Sequence, residues 1–222
     1  MSDERPKTQA IVMVKIAAIL LAAGRSARFA AAGGREATKL AASVAGKPLA
    51  RYAAEAALAS AARPVVVVTG HARDAVEAAL HGLRLRFVHN PAFASGLASS
   101  LKAGLAALPG DIEGAVVLLA DMPAVAPALI DRLAAAFAAA PDALAAIPVA
   151  EGRRGNPVLL GRALFPAVAA LDGDEGARRL LAGLPPGRVV EIAAGDDGAT
   201  LDVDTPEALA AARLKFGRGG DH

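Results

Sequence analysis

Ile16-Ala17-Ala18-Ile19-Leu20-Leu21-Ala22-Ala23-Gly24-Arg25-Ser26-Ala27-Arg28 is the stretch whose reading decides the fold. An unbroken apolar run empties into a loop of small residues that carries two arginines and leads on toward Lys39. A run without polar alternation reads as a strand covered on both faces. Small residues let backbone N–H groups approach phosphate oxygens, and fixed cations offset the charge that builds up when a phosphoryl bond breaks. Strand and loop together describe a buried sheet element ending in a turn built to hold a polyphosphate.

The same alternation of apolar runs and helical stretches continues downstream. Strands are expected over 64–70, 85–89, 114–120, 143–149, 157–160, 189–192 and 201–203, and helices over 49–61, 72–80, 99–108, 127–140 and 206–216, with another opening around 173–179. On the helix over 49–61, Tyr52, Ala56 and Ala59 share a face. Such βαβ units wind right-handed into a mainly parallel sheet between helix layers, an α/β fold of the three-layer Rossmann-like kind. The run 114–120 is the most continuously apolar and belongs at the sheet centre. Ligands in open parallel sheets sit beyond the carboxyl ends of the strands. Four polar or glycine-containing turns fall there, 22–39, 69–73, 90–100 and 121–123, and they converge on one site.

With 222 residues the chain is expected to form one domain over 15–216, with a flexible lead over 1–14 and a flexible tail over 217–222. Its apolar content is carried by alanine, leucine and valine, with no tryptophan and one tyrosine, which suits alanine-rich helices on a valine-rich sheet. The formal charge of +2 comes from basic residues scattered among acidic ones, so there is no nucleic-acid footprint. Absence of cysteine removes disulfides, thiolate metal sites and a cysteine nucleophile together. The run 11–23 follows Arg5 and Lys7 as a signal-peptide core would, but Lys15 interrupts it, and no other run is long enough to span a bilayer. A cytoplasmic protein without a membrane partner is the expectation.

The first turn lacks the G-x-x-x-x-G-K-[ST] lysine and hydroxyl and the further glycines of the dinucleotide fingerprint, so P-loop kinases and Rossmann dehydrogenases lose ground. Asp121, leaving the central strand just before Met122-Pro123, reads either as a carboxylate for a divalent cation or as the cap of a turn. Strand alternation puts Asp202 and Asp204 on one face, and Thr205, or Asp204, followed by Pro206 and Glu207 reads as an ordinary helix start; of the two aspartates one is assigned to the metal with Asp121 and the other to the cap. Ser99 and Ser100 open a helix, one as its cap and the other free to read a base or phosphate. His71, after Thr69-Gly70, is placed to line the pocket. The pairs Arg153-Arg154 and Arg178-Arg179 read as receivers of an anionic second substrate or as solvated surface. The four histidines have no metal-ligand spacing.

These pieces resemble the MobA-like nucleotidyltransferases, most closely the molybdenum cofactor cytidylyltransferase (MocA-like) branch. The resemblance runs from about Ile16 to Leu214 and rests on the L-A-A-G-x-S-x-R loop, Gly46-Lys47-Pro48-Leu49, Val68-Thr69-Gly70-His71, Asn90 with Gly96 and Ser100, 118–123, 154–159, 173–178 and 202–206. It implies a magnesium-dependent attack of a substrate phosphate on the α-phosphate of a nucleoside triphosphate, with release of pyrophosphate. In this branch the acceptor is the terminal phosphate of a molybdopterin-type cofactor, CTP is the donor, and the product passes to a molybdoenzyme or its chaperone. A small acceptor-binding insertion on the sheet is implied as well.

Carried onto this sequence, Arg28, Lys39 and Asp121 are catalytic, and Leu21, Ala22, Ala23, Gly24, Thr69, Asn90 and Ser100 hold the nucleotide. Arg154, Asn156, Asp174 and Arg178 receive the acceptor, while Asp121 with Asp202 and Asp204 binds Mg2+. The segment between Arg28 and Lys39 is longer than the family's, and Arg35 within it can share the role of Arg28. Asn156 stands where the branch often has histidine, and Ala23 stands where guanylyltransferase relatives have glycine, which favours cytidine. The rival readings are a guanylyltransferase, a sugar- or alcohol-phosphate nucleotidylyltransferase, and a cofactor carrier without catalysis.

Overall fold

The computed structural model describes residues 14–34, 36–174, 176–195, 197–199 and 201–217. Arg35, most of the expected lead and residues 218–222 of the expected tail lie outside them. In chain order the elements are β1 (Ile16–Ala22), α1 (Ala27–Ala31), β2 (Ser43–Val44), β3 (Lys47–Pro48), α2 (Leu49–Ala59), β4 (Val65–Thr69), α3 (Arg73–Ala79), β5 (Arg86–His89) and α4 (Leu97–Ala106). They continue with β6 (Gly114–Leu119), α5 (Pro127–Ala138), β7 (Ala145–Ala150), β8 (Arg153–Arg154), β9 (Val158–Gly161), α6 (Phe165–Ala169), α7 (Gly176–Ala182), β10 (Val189–Ala193) and α8 (Pro206–Gly217).

Seven strands lie in the order β10-β7-β9-β6-β1-β4-β5, with the short β8 paired to β7. β6, β1, β4 and β5 run parallel, as do β7 and β10, whereas β9 is antiparallel to both its neighbours. β6 takes the middle position, as its apolar run requires, and β1 lies beside it with Ile16 to Leu21 opposite Gly114 to Leu119. Alternate residues of the central strands feed two cores. Ala18, Leu20, Val67, Val116 and Leu118 pack beneath α2 and α5, and Ile19, Leu21, Val68, Ala115 and Val117 pack against Leu101 of α4, Val168 of α6 and Leu181 of α7. Ile19 and Leu20 are fully buried, each burial being worth roughly 1.5–3 kcal/mol relative to exposure.

A third, smaller core seats α8. Phe29 of the first loop packs with Ala42, Val44, Leu49, Val203, Leu209 and Ala212, and the Tyr52 and Phe216 rings lie 5.0 Å apart at its margin. Arg213 donates from Nε to the Ser43 carbonyl at 2.8 Å and faces Glu36 at 3.8 Å, so α8 also grips the chain on either side of Lys39.

Several details differ from expectation. Residues 201–203 form no strand; the segment crosses the carboxyl end of β6 with one tie, Val203 N–H donating to the Asp121 carbonyl at 3.0 Å. Leu-Asp-Val-Asp alternates as a strand does, but alternation needs a partner edge, and both sides of β6 are taken by β1 and β9. The core face of α2 includes Ala50, Ala53, Ala54, Ala56 and Ala57, so Ala56 of the expected face joins the core, while Ala59 is exposed and Tyr52 donates its hydroxyl to the Val44 carbonyl at 2.8 Å. The hairpin β2–β3 turns through Ala45 and Gly46, both with positive φ, as a tight two-residue turn needs.

Candidate functional site

The first loop leaves β1 at Ala22 and turns through Ser26, whose φ of 52° is left-handed, into the short α1. Among the described residues the N–H groups of Gly24 and Arg25 have no intramolecular partner, which leaves them available to an anion. Two hydroxyls stitch this turn to the distant Lys39. Ser26 and Thr38 hydroxyls stand 3.1 Å apart, Lys39 N–H points to Ser26 Oγ at 3.4 Å, and Leu40 N–H donates to Thr38 Oγ1 at 3.3 Å. The long segment between Arg28 and Lys39 is therefore an excursion anchored at both ends, with Phe29 buried as its plug.

Lys39 is the hub of the site. Its ammonium lies 2.7 Å from Asp121 Oδ2 and 2.5 Å from Asp204 Oδ1, and Arg28 Nη1 lies 2.6 Å from the other oxygen of Asp204. Burial acts to push the Lys39 ammonium toward neutrality, but the charge and hydrogen bond of Asp121 and those of Asp204 outweigh it and hold its pKa above the ordinary value. Burial raises Asp204 likewise, and Lys39 and Arg28 reverse the sign and keep it below the usual carboxylate range. Asp202 goes the other way, raised by burial and then by the charge of Asp204 beside it. Neither aspartate caps α8: Thr205 Oγ1 accepts from Ala208 N–H at 3.2 Å. The assignment of the cap to one of the aspartates is thus corrected: it falls to Thr205, the other helix start the sequence offers.

Around this hub opens a cleft of about 500 Å³, lined among others by Leu21, Ala23, Gly24, Arg28, Lys39, Ser100, Asp121 and Asp204. Three of the expected nucleotide residues do not line it. Ala22 and Thr69 are buried, and strand alternation puts them on the faces of Leu20 and Val67, toward α2 and away from the cleft. Among the described residues Thr69 Oγ1 is buried without a partner. Asn90 acts from behind: its amide donates to Ser99 Oγ at 2.8 Å and Ser100 Oγ at 3.1 Å, and so sets the hydroxyl that does reach the cleft. Neither serine caps α4, because Ser99 donates back to the Gly96 and Ala92 carbonyls. His71 also stays out of the lining, its N–H donating to the Ala23 carbonyl at 3.1 Å and its ring lying 5.9 Å from that of Phe93.

A second, more apolar cavity of about 480 Å³ adjoins the first and shares Leu21, Leu97, Leu119 and Asp174 with it. All four expected acceptor residues line it, but two are already engaged. Arg154 donates from Nε to Glu191 at 3.0 Å, and Asp174 Oδ1 accepts the Leu97 N–H at 3.2 Å, capping α4 together with the Gly173 carbonyl, which accepts from Ala98. Arg178 has no intramolecular partner among the described residues. Sequence reasoning did not find Leu97, Phe93 and Arg25, which also line the paired cavities. Arg25 sits inside the loop motif and was legible there; the two apolar side chains became site residues only through tertiary placement.

A divalent cation needs carboxylate oxygens that converge, and among the described residues no group of three His, Asp or Glu side chains is placed to hold one. Two carboxylates, Asp121 and Asp204, do converge on Lys39, and among the described residues Asp121 Oδ1 is buried with no hydrogen-bond partner. One orphaned carboxylate oxygen beside a second carboxylate fits magnesium, which takes one or two carboxylates and completes its shell from substrate phosphate and water. Asp202, exposed and outside the cleft lining, is not among the oxygens so placed.

A cleft over the carboxyl ends of β1 and β6, with an arginine, a lysine and two aspartates converging on it, is the mark of a nucleotidyl-transfer fold. A model of the MobA-like NTP transferase domain matches residues 18–189, and the chain belongs to that family of nucleotidyltransferases. Nicotine blue oxidoreductase from Paenarthrobacter nicotinovorans is 33% identical over 169 residues, which cover 74% of this chain and 82% of that protein. Purine catabolism protein PucB from Bacillus subtilis (strain 168) is 40% identical over 95 residues, 43% of this chain and 44% of PucB. The chain thus spans less than half the length of PucB, and it matches 33% of the bifunctional protein GlmU of Sorangium cellulosum (strain So ce56), at 31% identity over 71% of this chain. Among solved structures, Rv0371c from Mycobacterium tuberculosis H37Rv superimposes with a TM-score of 0.78 at 28% identity, over 91% of this chain and 99% of its own. A manganese complex of Rv0371c superimposes with a TM-score of 0.72 at 26% identity, over 90% of this chain and 98% of its own. No helix among the described residues is long and apolar enough to cross a membrane.

Proposed function

We propose that this nucleotidyltransferase moves CMP from CTP to the terminal phosphate of a molybdopterin-type cofactor and releases pyrophosphate, with Mg2+ as its cation. The reading is carried by one observation: a charged cleft and an apolar cavity with cationic rims share a wall of Leu21, Leu97, Leu119 and Asp174. A donor triphosphate in the first and a flat, phosphate-bearing acceptor in the second would meet at that wall, next to Lys39 and Asp121.

No nucleophilic side chain is needed, because the acceptor phosphate is already an anion. Its oxygen forms the new bond to the α-phosphorus as the bond to the pyrophosphate oxygen breaks, and the electron pair leaves with pyrophosphate. Alignment and charge neutralisation then carry the rate. Arg28 and Lys39 neutralise the triphosphate, the loop N–H groups of Gly24 and Arg25 hold phosphate oxygens, and Ser100, set by Asn90, fixes the nucleoside. Asp121 and Asp204 would hold a magnesium ion, which would supply Lewis-acid neutralisation of phosphate charge when bound. Arg178 is the cation that meets the acceptor.

Cytidine is favoured by Ala23, which lines the cleft at the position where guanylyltransferase relatives have glycine.

Pyrophosphate release with purified protein, Mg2+ and molybdenum cofactor, comparing CTP, GTP, ATP and UTP, tests the reading. Release confined to CTP is expected. Release with GTP alone points to a guanylyltransferase, cofactor-independent release with a sugar or alcohol phosphate points to that acceptor class, and no release with any of them points to a carrier.

A further inference from the structure

We propose that Lys39 is the resident cation of the Asp121–Asp204 pair and must leave it before a divalent ion binds, so that metal enters this site only together with the triphosphate. The inference rests on reading the charged cleft as the nucleotide and cation site.

The two carboxylates present four oxygens. Lys39 takes Asp121 Oδ2 and Asp204 Oδ1, and Arg28 takes Asp204 Oδ2. Two cations balance these two anions, and the Asp202 carboxylate stands beside Asp204 without joining the cleft lining. Only Asp121 Oδ1 is left, buried and without a partner. A divalent ion accepted there would lie against an ammonium of the same sign, at a range where salt gives no relief. Among the described residues no further acidic or imidazole side chain completes a ligand set, so the protein alone cannot offer enough oxygens to overcome that repulsion.

A triphosphate changes both sides of the balance. Its oxygens supply ligands the metal lacks, and its charge gives Lys39 an anionic partner to move to. The lysine is suited to this exchange, as a compact charge on a flexible four-carbon stem whose side chain is only 10% exposed and already lines the cleft. The ammonium passes from carboxylates to phosphate, and the carboxylates pass to the metal. Because the two binding events trade one set of partners, each must tighten the other by the same factor.

The test is Mn2+ binding, read from the electron paramagnetic resonance signal of free Mn2+, with the full chain as wild type, Lys39→Met and Lys39→Arg. Each is measured with and without a non-hydrolysable CTP analogue, and thermal melting shows that each protein is folded. Without nucleotide, Lys39→Met is expected to bind Mn2+ at least tenfold more tightly than wild type, and Lys39→Arg as weakly as wild type. The CTP analogue is expected to tighten Mn2+ binding tenfold or more in wild type and much less in Lys39→Met. Equal nucleotide-free affinity in wild type and Lys39→Met, with tight binding once the analogue is added, overturns the exchange and leaves the proposed function standing. Should Lys39→Met not fold, wild-type affinity for Mn2+ that is unchanged by the analogue overturns it on its own. No Mn2+ binding by any protein with the analogue present overturns the cation site and the exchange with it.

Discussion

Gly96→Ala should break the joint between the two cavities without touching a charged residue. Gly96 has φ 107° and ψ 178°, a region essentially reserved for glycine, and precedes α4. An added Cβ would stand 2.3 Å from the Gly173 carbonyl carbon and 2.4 Å from its oxygen, both backbone atoms that no rotamer change can clear. Backbone strain of this kind costs about 1–3 kcal/mol. Pushing residues 173–174 away from α4 also breaks the Ala98 N–H bond to the Gly173 carbonyl at 3.0 Å and the Leu97 N–H bond to Asp174 at 3.2 Å, each worth about 0.5–1.5 kcal/mol net. The sum is about 2–6 kcal/mol, against a total stability of order 5–15 kcal/mol for a folded protein. Urea unfolding of wild type, Gly96→Ala and Gly110→Ala measures it. Gly110 is a matched control, with nothing within 4 Å of an added Cβ and no positive φ, so its variant should stay within about 0.5 kcal/mol. Hydrogen exchange adds a local readout, since the Leu97 and Ala98 amides should exchange at least tenfold faster in Gly96→Ala. A loss below about 1 kcal/mol with unchanged exchange at those two amides would refute the reasoning, because the joint would then be carrying nothing.

Asp121→Ala should lower turnover by about a thousandfold or more while the protein stays folded, because Lys39 keeps Asp204 as a partner; wild-type-like steady-state kinetics in Mg2+ would remove Asp121 from the cation site. Phe29→Ala should cost about 3–5 kcal/mol by opening a cavity in the small core under the loop, and chemical denaturation reads it; the same variant should raise KM for the nucleotide more than Arg213→Ala does. Glu55 is held below the ordinary carboxylate range by hydrogen bonds from Lys47 and Arg51 that outweigh its slight burial. A lowered folded-state pKa adds stability that is present above the unfolded value and lost as the pH falls through the folded one. Acid titration of stability should therefore have a slightly shallower limb below about pH 4.5 in Glu55→Gln, an effect kept small by the exposure of the pair.

The parts of the fold set by local chemistry were legible in advance. β1, β4 and β6 are apolar runs bounded by turn residues, and only a strand covered on both faces explains β6. The loop motif and the turn at Asp121 announced where the charged cleft opens. What was not legible depended on partners far along the chain. Asp174 reads as a pocket carboxylate until it is seen to cap a helix 77 residues away, and Arg154 reads as an anion receiver until Glu191, 37 residues on, is seen beside it. Thr69 was misjudged for a different reason: period-two alternation gives each strand residue a face, but which face meets the cleft is decided by the helices that cover the sheet. Residues 201–203 alternate as a strand and lack an edge to join. The family resemblance supplied the roles, and the structure moved some of them to neighbours: the cap to Thr205 and the serine's positioning to Asn90.

The third core gives the site a property in time. Asp204 reaches Lys39 across 165 residues, and it is brought there by Val203 and α8 settling on Phe29. Every described strand of the main sheet precedes residue 194, and neither of the two larger cores draws on the segment that carries Asp204. Release of Val203 and α8 from Phe29 would therefore take Asp204 away from Lys39 and leave the sheet standing. The charge balance of the cleft lasts only as long as that small core stays closed.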